Sequence, residues 1–107
     1  MSDNQNTNNQ NEINKMKAKI MYDEIIIKYN EIKDIDTEEN IIKKIIELNF
    51  DENKVKEYYN VQRIFDEIED EYGISAFVED QDIKDKIKEL HCNKNLIAEW
   101  VEQTLLN

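Results

Sequence analysis

Proline is absent from this chain of 107 residues, and glycine occurs once, at position 73. Sheets need turn residues with unusual backbone angles, so a chain this poor in both is written for helices joined by short loops. A single cysteine, Cys92, excludes an internal disulfide and makes a reducing compartment, cytoplasm or nucleus, the expectation. No apolar run approaches the roughly 20 residues of a membrane span, and no signal-peptide pattern opens the chain. Histidine also occurs once, as His91 beside Cys92. Zinc takes four ligands at recurring spacings, and a Cys–His catalytic pair needs side chains that face each other, which sequence neighbours rarely do. His91 and Cys92 are therefore expected to be helix-end packing residues.

Positive charge is scarce too. Lysine and arginine number 14 against 25 acidic residues, a formal net charge of −11. Nucleic acids and anionic membranes bind clustered basic residues, so neither is expected as a partner, and a basic protein surface is. Residues 1–19 sum to +1, residues 20–60 to −5 and residues 61–107 to −7. The acidic clusters Glu67–Glu71 and Glu79–Asp85 lack the D-x-D-x-D-G loop of a calcium site and read as solvated faces. No metal, cofactor or catalytic constellation is expected, and the chain reads as a non-enzyme.

What the sequence does contain is a repetition. The stretch from Tyr22 reads YDEIIIKYNEI, and the one from Phe65 reads FDEIEDEYGIS. Further on, Ile41–Tyr58 aligns with Ile83–Trp100, with 7 identities in 18 positions. A composition this biased yields roughly two by chance. The first pair aligns at an offset of 43 and the second at 42, so one residue is inserted or lost in a loop between them.

Each unit then reads as three amphipathic helices. Tyr22, Ile25, Ile26 and Tyr29 form the first stripe, matched by Val61, Phe65, Ile68 and Tyr72 with Ile64 alongside. Ile41, Ile45 and Leu48 form the second, matched by Ile83, Ile87 and Leu90. Val55, Tyr58 and Tyr59 form the third, matched by Ile97, Trp100 and Val101 and continued to Leu105 and Leu106. Trp100, aligned with Tyr58, reads as a core residue. Asp36 with Glu39 resembles a capping box, and Asp51 and Asn93 are equivalent N-caps. Asn49 and His91 suit left-handed helix ends, with Phe50 and Cys92 tucking beneath the turn; Asn30 and Gly73 are expected to end the first helices in one way.

A three-helix unit of this layout resembles the ubiquitin-associated (UBA) superfamily, which includes CUE domains and the N-terminal domain of ribosome-rescue GTPases. Tyr72-Gly73-Ile74 looks like that family's apolar-Gly-aromatic loop, and Leu105-Leu106 like its terminal di-leucine. The first unit has Tyr29-Asn30-Glu31 at the loop and ends at Tyr58-Tyr59, so the resemblance assigns the contact surface to the second unit. It implies a patch of Tyr72, Gly73, Ile74, Leu105 and Leu106 that docks on ubiquitin or a ubiquitin-like protein. The expectation is thus an all-α fold: a disordered Asn/Gln-rich tail over residues 1–14, then two tandem three-helix UBA-like units, 15–60 and 61–107. Packing of both into one six-helix body is the other arrangement the sequence leaves open. The expected function is a protein-interaction module, with a structural or adaptor subunit that binds no ubiquitin as the alternative.

Overall fold

The computed structural model describes residues 2–105, with side-chain surroundings from residue 9 onward. Among the described residues every regular element is helical. In order these are α1 (Ser2–Lys28), α2 (Ile32–Ile35), α3 (Glu38–Glu47), α4 (Glu52–Tyr72), a 3-10 turn (Ile74–Ala76), α5 (Asp80–Glu89), α6 (Lys94–Trp100) and a π-helical turn (Val101–Leu105). The fold class is all-α, as the lack of turn residues dictates. The chain divides into two compact units, one up to Glu57 and one from Tyr58 on. The helix expected to close the first unit and the helix expected to open the second are one unbroken element, α4.

In the first unit, α1 packs along α3, and Ala18, Ile25, Ile32, Ile41, Ile45 and Val55 are buried. Lys19 Nζ reaches Asp23 at 3.0 Å and Glu38 of α3 at 3.2 Å, while Lys28 Nζ reaches Glu52 at 3.1 Å. The Asn-rich opening, expected as a disordered tail, is helical from Ser2. No proline or glycine interrupts the backbone ladder there, and Gln10 Nε2 donates to Asn14 Oδ1 at 3.0 Å across one turn. The cap of α3 also differs by one residue from the expected Asp36. Thr37 Oγ1 accepts from the Asn40 N–H at 3.2 Å, and Asp36 Oδ1 accepts instead from the Thr37 N–H at 2.9 Å and from Asn40 Nδ2 at 3.0 Å.

The second unit has one core, built from Val61, Ile64, Phe65 and Ile68 of α4, Ile74 of the 3-10 turn, Ile83 and Ile87 of α5, and Ile97 and Val101. Tyr72, Val78, Leu90, Cys92, Trp100 and Leu105 pack against it. Trp100, expected as a core residue, is partly buried on the flank of that core.

Burial repeats at the offsets the sequence gives. Ala18 and Ile25 match buried Val61 and Ile68 at 43; Ile32, Ile41, Ile45, Val55 and Tyr59 match buried Ile74, Ile83, Ile87, Ile97 and Val101 at 42. The corners repeat as well. Asn49 and Phe50 have φ of 57° and 60°, and His91 and Cys92 have 54° and 56°. The Phe50 N–H donates to Ile45 O and the Cys92 N–H to Ile87 O, both at 2.9 Å, the bond that closes a Schellman helix end. Asp51 Oδ1 then caps the Lys54 N–H, and Asn93 Oδ1 the Leu96 N–H, both at 3.2 Å. The one-residue slip falls after Tyr29 and Tyr72. There Gly73 turns the chain alone at φ 62°, whereas the first unit uses Asn30 and Glu31, and Asn30 is not left-handed. These two helix ends therefore differ, contrary to the sequence expectation.

Candidate functional site

The five residues assigned to a docking patch fare differently. Tyr72 is the last residue of α4; its ring lies against the second core and its hydroxyl donates to Glu102 Oε1 at 3.4 Å. Partial burial, with the carboxylates of Glu71 and Glu102 close by, pushes that hydroxyl above the ordinary phenol value. Gly73 is exposed and its N–H donates to Glu69 O at 2.9 Å. Leu105, in the π-helical turn, is partly buried against the same core. Leu106 lies outside the described residues. The Tyr72–Glu102 bond therefore draws the end of α4 and the turn after α6 together.

Ile74 does not belong to that surface. It is 0% exposed, so it offers a partner nothing. The reason is local: the single left-handed residue at Gly73 reverses the chain so sharply that the next side chain points into the core.

Beside Tyr72, α4 and α6 leave a cleft of about 80 Å³. Ile64, Ile68, Ile97 and Ala98 line it with apolar surface, and Glu67, Glu71, Tyr72 and Lys94 contribute its polar edge. Lys94 Nζ closes one side through Glu67 Oε2 at 3.0 Å. Pockets for metabolites run to about 300–1,000 Å³, so this cleft suits a single aliphatic side chain of a larger partner. Its edge is acidic, because Glu67 and Glu71 line it and Glu102 lies beside it on the Tyr72 hydroxyl.

Two exposed apolar residues of this unit were not singled out in the sequence. Phe77 is 75% exposed in the loop before α5, and Leu96 is 45% exposed on α6. Phe77 rests on an open concavity of about 500 Å³ lined by residues 75–81. Its signal was available, since it falls between helical stripes and has no periodic partner. The loop is anchored at its base, where Ser75 Oγ donates to Glu69 Oε2 at 2.7 Å.

Cys92 is partly buried against the second core at the α5 corner, the packing role expected of it, whereas His91 is exposed and serves there only as a left-handed helix end. Among the described residues no group of three or more His, Cys, Asp or Glu could hold a metal ion, and no helix is long and apolar enough to cross a membrane. Compared with protein-family models, curated proteins and solved structures, the chain matches none.

Proposed function

We propose that the chain is a non-enzymatic protein-interaction module whose docking surface is the Tyr72 end of its second unit. The observation that carries this reading is the cleft between α4 and α6. It is apolar within, acidic around, and sized for one aliphatic side chain of a protein. Tyr72, Gly73 and Leu105 border the same end, and Phe77 adds an exposed aromatic to the following loop. The partner that suits it is an apolar patch ringed by basic residues, and ubiquitin or a ubiquitin-like protein has that chemistry. The resemblance to the UBA superfamily supports the same end of the same unit, and a cytoplasmic or nuclear setting goes with it. Acidic rims of this kind speed encounter with a basic partner and make binding weaken as salt rises.

The test is a titration of isotopically labelled chain with unlabelled ubiquitin, read by amide NMR shifts. Progressive shifts at Tyr72, Gly73 and the 101–105 turn, abolished in Ala98→Glu, which places a charge in the cleft, are the expected result. Well-dispersed signals that do not move up to about 1 mM ubiquitin, a concentration reaching weak millimolar complexes, rule ubiquitin out. A structural or adaptor role in a larger assembly is the second reading, and four exposed apolar side chains on α1 favour it.

A further inference from the structure

Helix α1 is apolar on two opposite faces. Toward the interior of its unit it sends Ala18 and Ile25, both 0% exposed, with Met21, Tyr22 and Ile26 partly buried. On the other side Ile13, Met16, Ile20 and Ile27 are 44, 68, 62 and 83% exposed. At 3.6 residues per turn these four fall within about 60° of one another, roughly opposite Ala18 and Ile25. Their spacing is that of a heptad seam: Ile13, Ile20 and Ile27 occupy successive a positions, and Met16 a d position. Asp23 takes the next d position, where Lys19 neutralises it at 3.0 Å.

The charges along the edges of this seam indicate what covers it. Glu12 and Lys19 run along one edge, at g positions, and Lys17 and Glu24 along the other, at e positions. When two such helices pair in parallel and in register, each g residue faces the e residue five places on in the other copy. Glu12 then faces Lys17, and Lys19, which also holds Asp23 and Glu38 of its own chain, faces Glu24, so each edge sets opposite charges together and the twofold axis repeats both pairs. Charge also picks this face for self-contact on a larger scale. Residues 9–27 hold three lysines and three acidic residues, neutral overall, in a chain of net −11. Two copies therefore repel least where their α1 helices meet.

We propose that this face is where a second copy of the chain docks, α1 against α1, parallel and in register. This does not rest on the surface proposed at Tyr72. With few apolar side chains per copy the contact is small, below about 1,200 Å² in total, which belongs to weak and transient interfaces. A dissociation constant of roughly tens of micromolar is expected.

Sedimentation equilibrium of the full chain from about 5 to about 500 µM spans that range. The mass should rise from one chain toward two. Ile20→Glu should weaken the dimer at least about tenfold, since it places a charge in an apolar seam, with helical circular dichroism unchanged because Ile20 is 62% exposed. Lys17→Glu should weaken it too, by setting Glu against Glu12, and adding Glu12→Lys should restore it. In Cys92→Ser the variant Ile20→Cys should cross-link under mild oxidation, because an a position faces itself only in the parallel register. A single-chain mass at every concentration overturns the proposal. So does a dimer indifferent to Ile20→Glu, as one formed elsewhere would be, or one that neither follows the charge swap nor cross-links.

Discussion

Truncating Ile87 to alanine removes three carbon atoms from a side chain with no exposed surface. At about 0.8 kcal/mol per buried methylene the transfer loss alone is roughly 2.4 kcal/mol. The space left in a core whose other side chains are fixed on different elements closes only partly, and buried Ile-to-Ala changes fall at about 2–5 kcal/mol in total. We expect about 3 kcal/mol for Ile87→Ala. Ile45→Ala, at the matching position and also 0% exposed, should cost the same within about 1 kcal/mol. Ile87→Val, which loses one methylene, should cost about 1 kcal/mol. A chain of this length is stable by about 5–15 kcal/mol, so each alanine variant stays folded while giving up a large share. Urea unfolding at low chain concentration measures this, followed by far-ultraviolet circular dichroism and by emission from Trp100, the sole tryptophan, which lies against the second core. Phe77→Ala is the control: at 75% exposure it should change stability by no more than about 0.5 kcal/mol. Either isoleucine variant costing under about 1 kcal/mol, or Phe77→Ala costing as much as they do, would refute the assignment of the core.

Two further outcomes follow from the end of α4. A Cβ added at Gly73 meets nothing within 4 Å, so Gly73→Ala pays only for its left-handed φ of 62°, about 1 kcal/mol, and Gly73→Asn less than half of that; equal costs, read from urea midpoints, would show that φ is not the cause. The Tyr72 hydroxyl is held above its usual value by burial, Glu71 and Glu102, and hydrogen bonds to carboxylates raise Lys19 and Lys28 as well. Each folded value is raised, so the stabilisation is whole below the unfolded value and is lost as pH climbs through the folded one, in a window opening near pH 10. Urea midpoints should be level between about pH 7 and 9 and fall above about pH 10. Tyr72→Phe should make that fall shallower; a steeper fall in the variant contradicts the direction assigned to Tyr72.

The periodic features were legible and the exceptions to period were not. Ile25, Ile41, Ile45, Ile83, Ile87 and Ile97 stand at helical spacing, and all are buried. The corners were legible because Asn49, His91 and the caps Asp51 and Asn93 are residue types with local hydrogen-bonding habits. Asp36 was mistaken for the cap because Asp is the stronger N-cap residue of the two, and only the backbone angles at Thr37, φ −76° and ψ 157°, decide between neighbours. Ile74 was misplaced because sequence offset does not say which way a side chain points after a one-residue reversal. The second apolar face of α1 went unread for a related reason. Once Ile25 and its neighbours account for one stripe, Ile13, Met16, Ile20 and Ile27 look like composition, and only exposure separates them. The cleft beside Tyr72 is a gap between α4 and α6, and no pattern along one strand of sequence encodes a gap.

The recurrence also indicates where function belongs. The two halves agree where side chains are buried and where the chain rounds the corners at Asn49–Phe50 and His91–Cys92. Those corners hold four residues in left-handed backbone without a glycine, at about 1–2 kcal/mol each for Phe50, His91 and Cys92 and less for Asn49. Such a cost is tolerated only where surroundings over-determine the bend, and here a Schellman bond, an N-cap and a partly buried Phe50 or Cys92 all do so. The sole glycine is spent at position 73, where the halves differ, and the chain emerges from it into the Phe77 loop. Matched positions are thus explained by packing, which both halves need equally. Surface features present in one half alone are not explained that way: the seam on α1 in the first, and the cleft with Phe77 in the second. If packing were their only purpose, Ile20→Glu and Phe77→Ala would be silent in every assay. We expect both to be silent in unfolding of the dilute chain, with Ile20→Glu registering in self-association and Phe77→Ala in partner binding.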